Sequence, residues 1–272
     1  MLIAQISDTH IKPQGRLAYG RVDTERMLRD CIAHVGAQQP QPDVVVITGD
    51  LVDFGHADEY ALLKDCLLPL AQPVLLIAGN HDERQNMHRA FADERWAYLH
   101  QHSEFIQYAI TLGELRFIGL DTLIPGSGAG LLCPQRLQWL DETLAATRQP
   151  TVIMMHHPPF LTGIAHMDQQ GLTGRIAFEA VVAKHSHVCR ILCGHLHRPI
   201  QASVAGVLAS TAPSPAHQVA LGLASNAPDC FVMEPPGYQL HLWRDARMVS
   251  HQVVMGEFAG PYPFREHGRL ID

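Results

Sequence analysis

Residues 73–84 read PVLLIAGNHDER. The run Val74-Leu75-Leu76-Ile77 has the length and composition of a buried strand, and it stops at the small pair Ala78-Gly79. Asn80, His81 and Asp82 follow, three side chains that coordinate, donate or accept. A strand made for a dry interior that ends this way delivers polar groups to the edge of a sheet. The design recurs along the chain. LIAQIS ends in Asp8-Thr9-His10, and DVVVIT ends in Gly49-Asp50 with Asp53 just beyond. TVIMM ends in His156-His157, and VCRILC ends in Gly194-His195-Leu196-His197.

Helical patterns separate these strands. DTERMLRDCIAHVGAQ puts Met27, Leu28, Cys31, Ile32 and Val35 on one face, and ADEYALLKDCLLPL does the same with Tyr60, Leu63 and Leu67. PQRLQWLDETLAAT opens on Pro134, suited to a first helical turn, with Leu137, Leu140 and Leu144 in phase. RIAFEAVVAKH reads as a further helix. Strand–helix alternation predicts an α/β fold with largely parallel pairing. Beyond residue 200 the pattern changes to QASVAGVLAST, DCFVMEPPGYQLHLWRD and ARMVSHQVVMGEF, strands joined by turns. This β-rich C-terminal part is expected to form a second sheet that completes the domain. One catalytic domain over residues 1–255 is expected, with an extended arm over 256–272. EPPGYQLHLW and the arm residues Phe258, Tyr262 and Phe264 are expected to make a subunit contact or a cap, since exposed aromatic residues favour a partner.

The chain has 272 residues, 47% apolar and 17% charged, enough for a substantial core. A net charge of −7 argues against a nucleic-acid polymer as partner, although bound cations can still attract a small anion. MLIAQISDTH lacks a basic segment ahead of its apolar stretch, and no apolar run is long enough to span a bilayer. A cytoplasmic protein with no membrane partner is expected. The six cysteines form no CxxC pair and read as buried thiols.

Ligands of open α/β sheets bind beyond the carboxyl ends of the strands. Five strand ends here carry Asp8, His10, Asp50, Asn80, His156, His195 and His197. Imidazole with carboxylate suits Zn, Mn, Fe or Co. Seven candidates exceed the roughly three or four protein ligands that one catalytic ion needs, so two ions sharing a carboxylate fit better. Such ions lie on the order of 3.5–4 Å apart and clamp the oxygens of an in-line displacement. The His-x-His of GHLH, if extended, puts both rings on one side.

The ordered set DTH, GDLVDFG, GNHD, HHPP and GHLH, over residues 8–197, resembles the calcineurin-like metallophosphoesterase superfamily. AHQ after QASVAGVLAST makes it similar to the class III cyclic-nucleotide phosphodiesterases and the related bacterial glycerophosphodiesterase. The resemblance implies a four-layer α/β/β/α sandwich and an oligomeric assembly. It implies that Asp8, His10 and His197 hold one divalent ion, that Asn80, His156 and His195 hold the other, and that Asp50 bridges them. It implies that His81 faces the phosphoryl group without binding metal and that His217 is a second substrate-side histidine. Asp50 and His81 are thus the expected catalytic pair, and Asn80, His81 and His217 the substrate contacts.

The implied reaction is hydrolysis of a small phosphodiester, a cyclic nucleotide or a glycerophosphodiester, by in-line attack of a metal-bound hydroxide. Phosphomonoester or phosphonate monoester hydrolysis is the alternative on the same site, and a non-catalytic metal-binding scaffold a further one. Phe54 in GDLVDFG and Asp82 in GNHD depart from the GDxVDRG and GNHE of the protein serine/threonine phosphatases. IKPQGRLAYGRVD and FLTGIAHMDQQGLTGR are the candidate specificity loops, with Arg16, Tyr19 and Arg21 placed to meet a leaving group. Asp82 is expected to orient a neighbouring imidazole.

Overall fold

The computed structural model describes residues 1–271. Its elements begin with β1 (Leu2–Ile6), α1 (Thr24–Gly36), β2 (Val44–Ile47), α2 (Ala57–Leu67), β3 (Val74–Leu76) and α3 (Arg84–Ala90). A hairpin follows, β4 (Tyr108–Leu112) and β5 (Leu115–Leu120), then α4 (Pro134–Ala145), β6 (Thr151–Met155), α5 (Arg175–Val182) and β7 (Val188–Cys193). Two further hairpins close the chain: β8 (Gln201–Val204) with β9 (Val207–Thr211), and β10 (Gly237–Arg244) with β11 (Arg247–Val254).

The strands form two main sheets, β11-β10-β1-β2-β3 and β8-β9-β7-β6-β5-β4. β1, β2 and β3 are mutually parallel, as are β5, β6, β7 and β9, with antiparallel strands confined to the margins. The pleat sorts side chains between layers. Val152 and Met154 of β6 and Leu192 of β7 enter the core shared with the first sheet, while Ile153, Met155, Ile191 and Cys193 face Leu140 and Leu144 of α4 and Phe178 of α5. On the other side, Leu28, Cys31 and Val35 of α1 and Tyr60 and Leu63 of α2 cover the first sheet. The order of layers is α/β/β/α.

The expected helices form with shorter C-terminal ends. Asp23 caps α1 by accepting from Arg26 N–H, and Pro134 opens α4. Other expectations need correction. The C-terminal strands do not make a sheet of their own: β8 and β9 extend the second sheet, whereas β10 pairs antiparallel with β1. DCFVMEPPGYQLHLWRD is interrupted at its proline pair, with only Phe231–Val232 paired ahead of β10. Proline supplies no N–H to a ladder, so the strand cannot run through. Within EPPGYQLHLW, Tyr238 and His241 of β10 are fully buried in the first sheet, while Pro235 is exposed. Between residues 84 and 133, where the sequence reading places no element, lie α3, a short 3-10 helix (Glu94–His100) and the β4–β5 hairpin.

Residues 256–271 of the expected arm are almost entirely exposed, and its last residue, Asp272, lies outside the described residues. No helix among the described residues is long and apolar enough to cross a membrane. All six cysteines are free thiols, but only Cys31, Cys66 and Cys193 are buried, and Cys230 is exposed.

Candidate metal centre

Each expected ligand follows a parallel strand: Asp8 and His10 after β1, Asp50 after β2, Asn80 after β3, His156 after β6, and His195 and His197 after β7. The two sheets present these ends on the same side, and the chain must turn back sharply there. Asp8 (φ 56°), His10 (43°), Asp50 (47°), His195 (71°) and His197 (51°) all adopt the left-handed region. For residues with a Cβ this costs about 1–2 kcal/mol each and persists where the surroundings enforce it. His195 and His197 therefore converge through left-handed turns, not through the extended His-x-His geometry expected from sequence. Glycine serves close approach. A Cβ on Gly79 would overlap the backbone nitrogen and carboxylate of Asp50, and one on Gly194 would overlap Ser7 Oγ.

Asp8, His10, Asp50 and His197 form one cluster whose candidate ligand atoms all lie within 4.8 Å of one another. His10 Nε2 is 3.1 Å from His197 Nε2 and 3.6 Å from Asp50 Oδ2, and His197 Nε2 is 3.5 Å from Asp8 Oδ1. Beside it, His156 Nε2 lies 3.3 Å from Asp50 Oδ2 and 3.0 Å from Asn80 Oδ1, which is also 3.0 Å from His195 Nδ1. The Asp50 carboxylate touches both groups.

The tautomers test whether cations belong here. His10 Nδ1–H donates to Asp53 Oδ1 (3.1 Å), His156 Nδ1–H to the Thr48 carbonyl (2.8 Å) and His197 Nδ1–H to the His217 carbonyl (2.9 Å). In the neutral rings every Nε2 is then a bare lone pair aimed inward. Two such lone pairs facing each other at 3.1 Å, with carboxylates alongside, repel unless a proton or a metal cation lies among them; burial opposes a proton on His10, but Asp53, Asp50 and Asp8 favour it. Asp8 Oδ2 is buried with no hydrogen-bond partner among the described residues. Burial pushes the Asp8 carboxyl up to about 6, and the nearby Asp50 charge adds to the rise. Burial also opposes charge on Asp50, but where His156, His81 and His10 carry protons in place of metal their charge outweighs it and holds that carboxylate well below its ordinary range. Burial and the neighbouring His10 push His197 down to about 3. Divalent ions relieve the repulsion among the acids and lone pairs together, so the donor set fits them.

The surrounding residues divide into those that orient ligands and those that face the cleft. His81 Nδ1–H donates to the Asp53 carbonyl (2.8 Å), which turns Nε2 outward, and the His81 N–H holds Asp50 Oδ1 at 2.9 Å. His217 is packed edge-on to His197, and its own carbonyl orients that ring. Asp82 does not orient an imidazole, contrary to the expectation from sequence. Its carboxylate accepts from Gly79 N–H (2.8 Å), Leu51 N–H (3.1 Å) and Tyr60 O–H (2.9 Å), tying the turn after β3 to the turn after β2. Asp53 does the orienting, of His10, and is itself paired with Lys12 at 2.6 Å. Its place in GDLVDFG was visible, but its role depends on a fold-back that spacing does not show. His157 has both ring nitrogens engaged, by Thr122 Oγ1 and the Gly128 carbonyl.

Two cavities meet at Asn80 and His81. The first, about 370 Å³, opens over the clusters and is walled by Tyr19, Met167, His217, Val219 and Phe231. The second, about 640 Å³, extends past Phe54, Glu83, His88, Ser103 and Glu104. Of the three residues expected near a leaving group, Tyr19 lines the first cavity, whereas Arg16 and Arg21 are exposed and line neither.

Residues 1–199 match the sequence family described as calcineurin-like phosphoesterase. The chain belongs to the calcineurin-like phosphoesterase family. Among similar family members is a probable glycerophosphodiester phosphodiesterase from Arcobacter nitrofigilis, 41% identical over 276 residues and covering 100% of both chains. A glycerophosphodiester phosphodiesterase from Enterobacter lignolyticus is 31% identical over 98% of this chain and 96% of its own. A 3′,5′-cyclic adenosine monophosphate phosphodiesterase from Pseudomonas aeruginosa is 29% identical over 92% and 88%. The crystal structure of a dimetal phosphatase from Danio rerio shares the calcineurin-like fold, with a TM-score of 0.68 and 16% identity over 93% of this chain and 95% of that one.

Proposed function

We propose that this phosphoesterase hydrolyses small phosphodiesters with two divalent ions drawn from Fe, Mn, Zn or Co. The observation that carries the reading is the Asp8–His10–Asp50–His197 cluster with His156, Asn80 and His195 reaching it through Asp50, and with the Nδ1 atoms of His10, His156 and His197 bonded outward so that Nε2 faces inward. Asp8, His10 and His197 would hold one ion, Asn80, His156 and His195 the other, with Asp50 between them. When bound, such a pair polarises the phosphoryl oxygens and lowers the pKa of a coordinated water.

The remaining work belongs to the chain itself. Asp53 fixes the His10 tautomer, and the carbonyls of Thr48 and His217 fix His156 and His197. His81 Nε2 faces the cleft, where only the imidazolium form, with Nδ1–H still on the Asp53 carbonyl, carries an Nε2–H that can stabilise charge on phosphorus-bound oxygen or pass to the leaving alkoxide. His217 and Tyr19 wall the side on which substrate lies. Two cavities diverging from Asn80 and His81 favour a diester, with two alcohols, over a monoester, with one. The relatives named for diester hydrolysis support the same choice. A homo-oligomer assembled through the 256–271 arm and a cytoplasmic location, in keeping with the free thiols, complete the proposal.

Asn80→Ala removes the oxygen that meets both His156 and His195. The expected result is loss of roughly one of two bound ions and a fall of about 100-fold or more in kcat on bis(p-nitrophenyl) phosphate. Retention of full metal content and rate would refute the assignment of Asn80. A wild-type preference for p-nitrophenyl phosphate over the diester would refute the diesterase reading.

A further inference from the structure

His156, His157 and His195 offer ring nitrogens that all lie within 4.8 Å of one another, so by residue type His157 is a further candidate metal ligand. Its hydrogen bonds give it another role. The Gly128 carbonyl can only accept, so at 3.0 Å it fixes the imidazole proton on Nε2. Nδ1 then carries the lone pair, and Thr122 Oγ1–H donates to it at 2.8 Å. Both nitrogens are spent on the protein and neither is left for an ion. The residue is fully buried, and its ring lies 4.5 Å from that of His195, centroid to centroid.

Two wall segments of the cleft hang on this ring. A Cβ on Gly130 would overlap the His157 ring, and one on Gly128 would overlap Gln170 Oε1. The Gly128–Gly130 stretch is thus seated on His157 at one point and on Gln170 at another. Gly130–Leu131 and Leu172–Thr173 pair in parallel. Gly130 N–H donates to the Gly171 carbonyl at 3.2 Å, and Leu132 N–H to the Thr173 carbonyl at 2.9 Å. The segments so joined reach different cavities. Pro125 and Gly126 wall the second, and Met167 and Gln170 wall the first.

Resting on a diester that lies in these two cavities, we propose that His157 is a positioning residue for substrate and not a metal ligand. Its Nε2–H bond to Gly128 sets the distance of both walls from the metal clusters. A wall displaced by about 1 Å misplaces the ester without removing any group that acts on phosphorus, so the penalty falls on substrate binding.

Isosteric amides separate the two bonds of the ring, since Gln carries an amide near the place of Nε2 and Asn near that of Nδ1. In the metal-loaded full-length enzyme, His157→Gln retains a donor for Gly128 and should hold KM for bis(p-nitrophenyl) phosphate within about threefold of wild type. His157→Asn and His157→Leu lose that donor and should raise KM about tenfold, with kcat changed by less than about threefold. All three should keep the full complement of bound ions. Hydrogen exchange over residues 124–132 and 160–173 should quicken in the Asn and Leu variants alone. Loss of an ion with KM unchanged would show that His157 is a ligand and overturn the proposal. An unchanged KM in folded His157→Asn, or a His157→Gln as impaired as His157→Asn, would overturn it as well. If His157→Leu does not fold, the comparison of Asn with Gln decides. A wild type that prefers p-nitrophenyl phosphate would overturn the diesterase reading, and the same KM comparison on that ester would then judge His157 separately.

Discussion

Asn80, His81 and Asp82 are consecutive, yet they do three different jobs because the chain turns within them. Asn80 points its carbonyl oxygen between two imidazoles, His81 swings outward on its bond to Asp53, and Asp82 turns back to clamp the strand ends. The residue types were legible in the sequence, as was their arrival at strand ends. The backbone that aims them was not. Left-handed conformation is read from glycine, and here Asp8, His10, Asp50, His195 and His197 adopt it without being glycine. Gly79 shows the converse. Its φ is not positive, and it is glycine because Asp50 packs against its Cα. Gly79→Ala should therefore act through Asp50, displacing the carboxylate shared by both clusters. The expected cost is about 1–3 kcal/mol of stability, with weakened binding at both metal positions and not at one. Calorimetric melting and metal analysis check this. Loss of a single ion would show that Asp50 does not serve both.

At the scale of elements, β1, β2, β3 and β6 were legible because each is an apolar run with a helix after it, whereas β5, parallel to β6, was not recognised. The margins were not, since an antiparallel edge strand carries no sign of which sheet it joins. β10 illustrates the difference. It inserts between β1 and β11 and brings His241 into the interior between the sheets. Gln5 spends its amide N–H groups on Thr48 Oγ1 and the Cys193 carbonyl, so its oxygen accepts from His241 Nε2–H at 3.0 Å. His241 Nδ1 then accepts from Ser250 Oγ–H of β11 at 2.7 Å. This arrangement needs a neutral ring. Burial, with the positive Arg190 nearby, pushes His241 from an ordinary 6.5 down to about 3. Between those values the unfolded chain binds a proton at this residue that the folded chain does not. Its contribution to stability is thus intact above pH 6.5 and is lost as the pH falls toward 3. Replacing His241 with Gln should lower stability at neutral pH and flatten the acid side of the stability curve by up to one proton's worth of slope. Denaturant unfolding between those pH values measures this, and parallel curves for variant and wild type would show that His241 does not titrate in the window.

At the scale of the whole molecule, the C-terminal end leaves apolar surface exposed. β11 is an open edge of the first sheet, with Val249 and Val254 half-exposed. Beyond it the arm holds Phe258, Tyr262 and Phe264 at 67%, 74% and 87% exposure. Its paired strands, Arg265–Glu266 and Arg269–Leu270, form a two-stranded sheet that pairs with no other strand among the described residues. The proposed homo-oligomer would use this edge strand and these exposed aromatic rings, which an arm packed on its own domain would bury. Stable association buries about 800 Å² per partner, an area within reach of an arm and an edge strand acting together. A chain ending at Met255 should therefore fall in light scattering from an oligomer to the mass of a single chain. The clusters and both cavities are built from residues up to Phe231, so the shortened chain should keep its metal content and its hydrolysis of bis(p-nitrophenyl) phosphate. An unchanged mass would remove the arm as the assembly element. A lower mass with lost activity would show instead that the arm of one subunit completes the cleft of another.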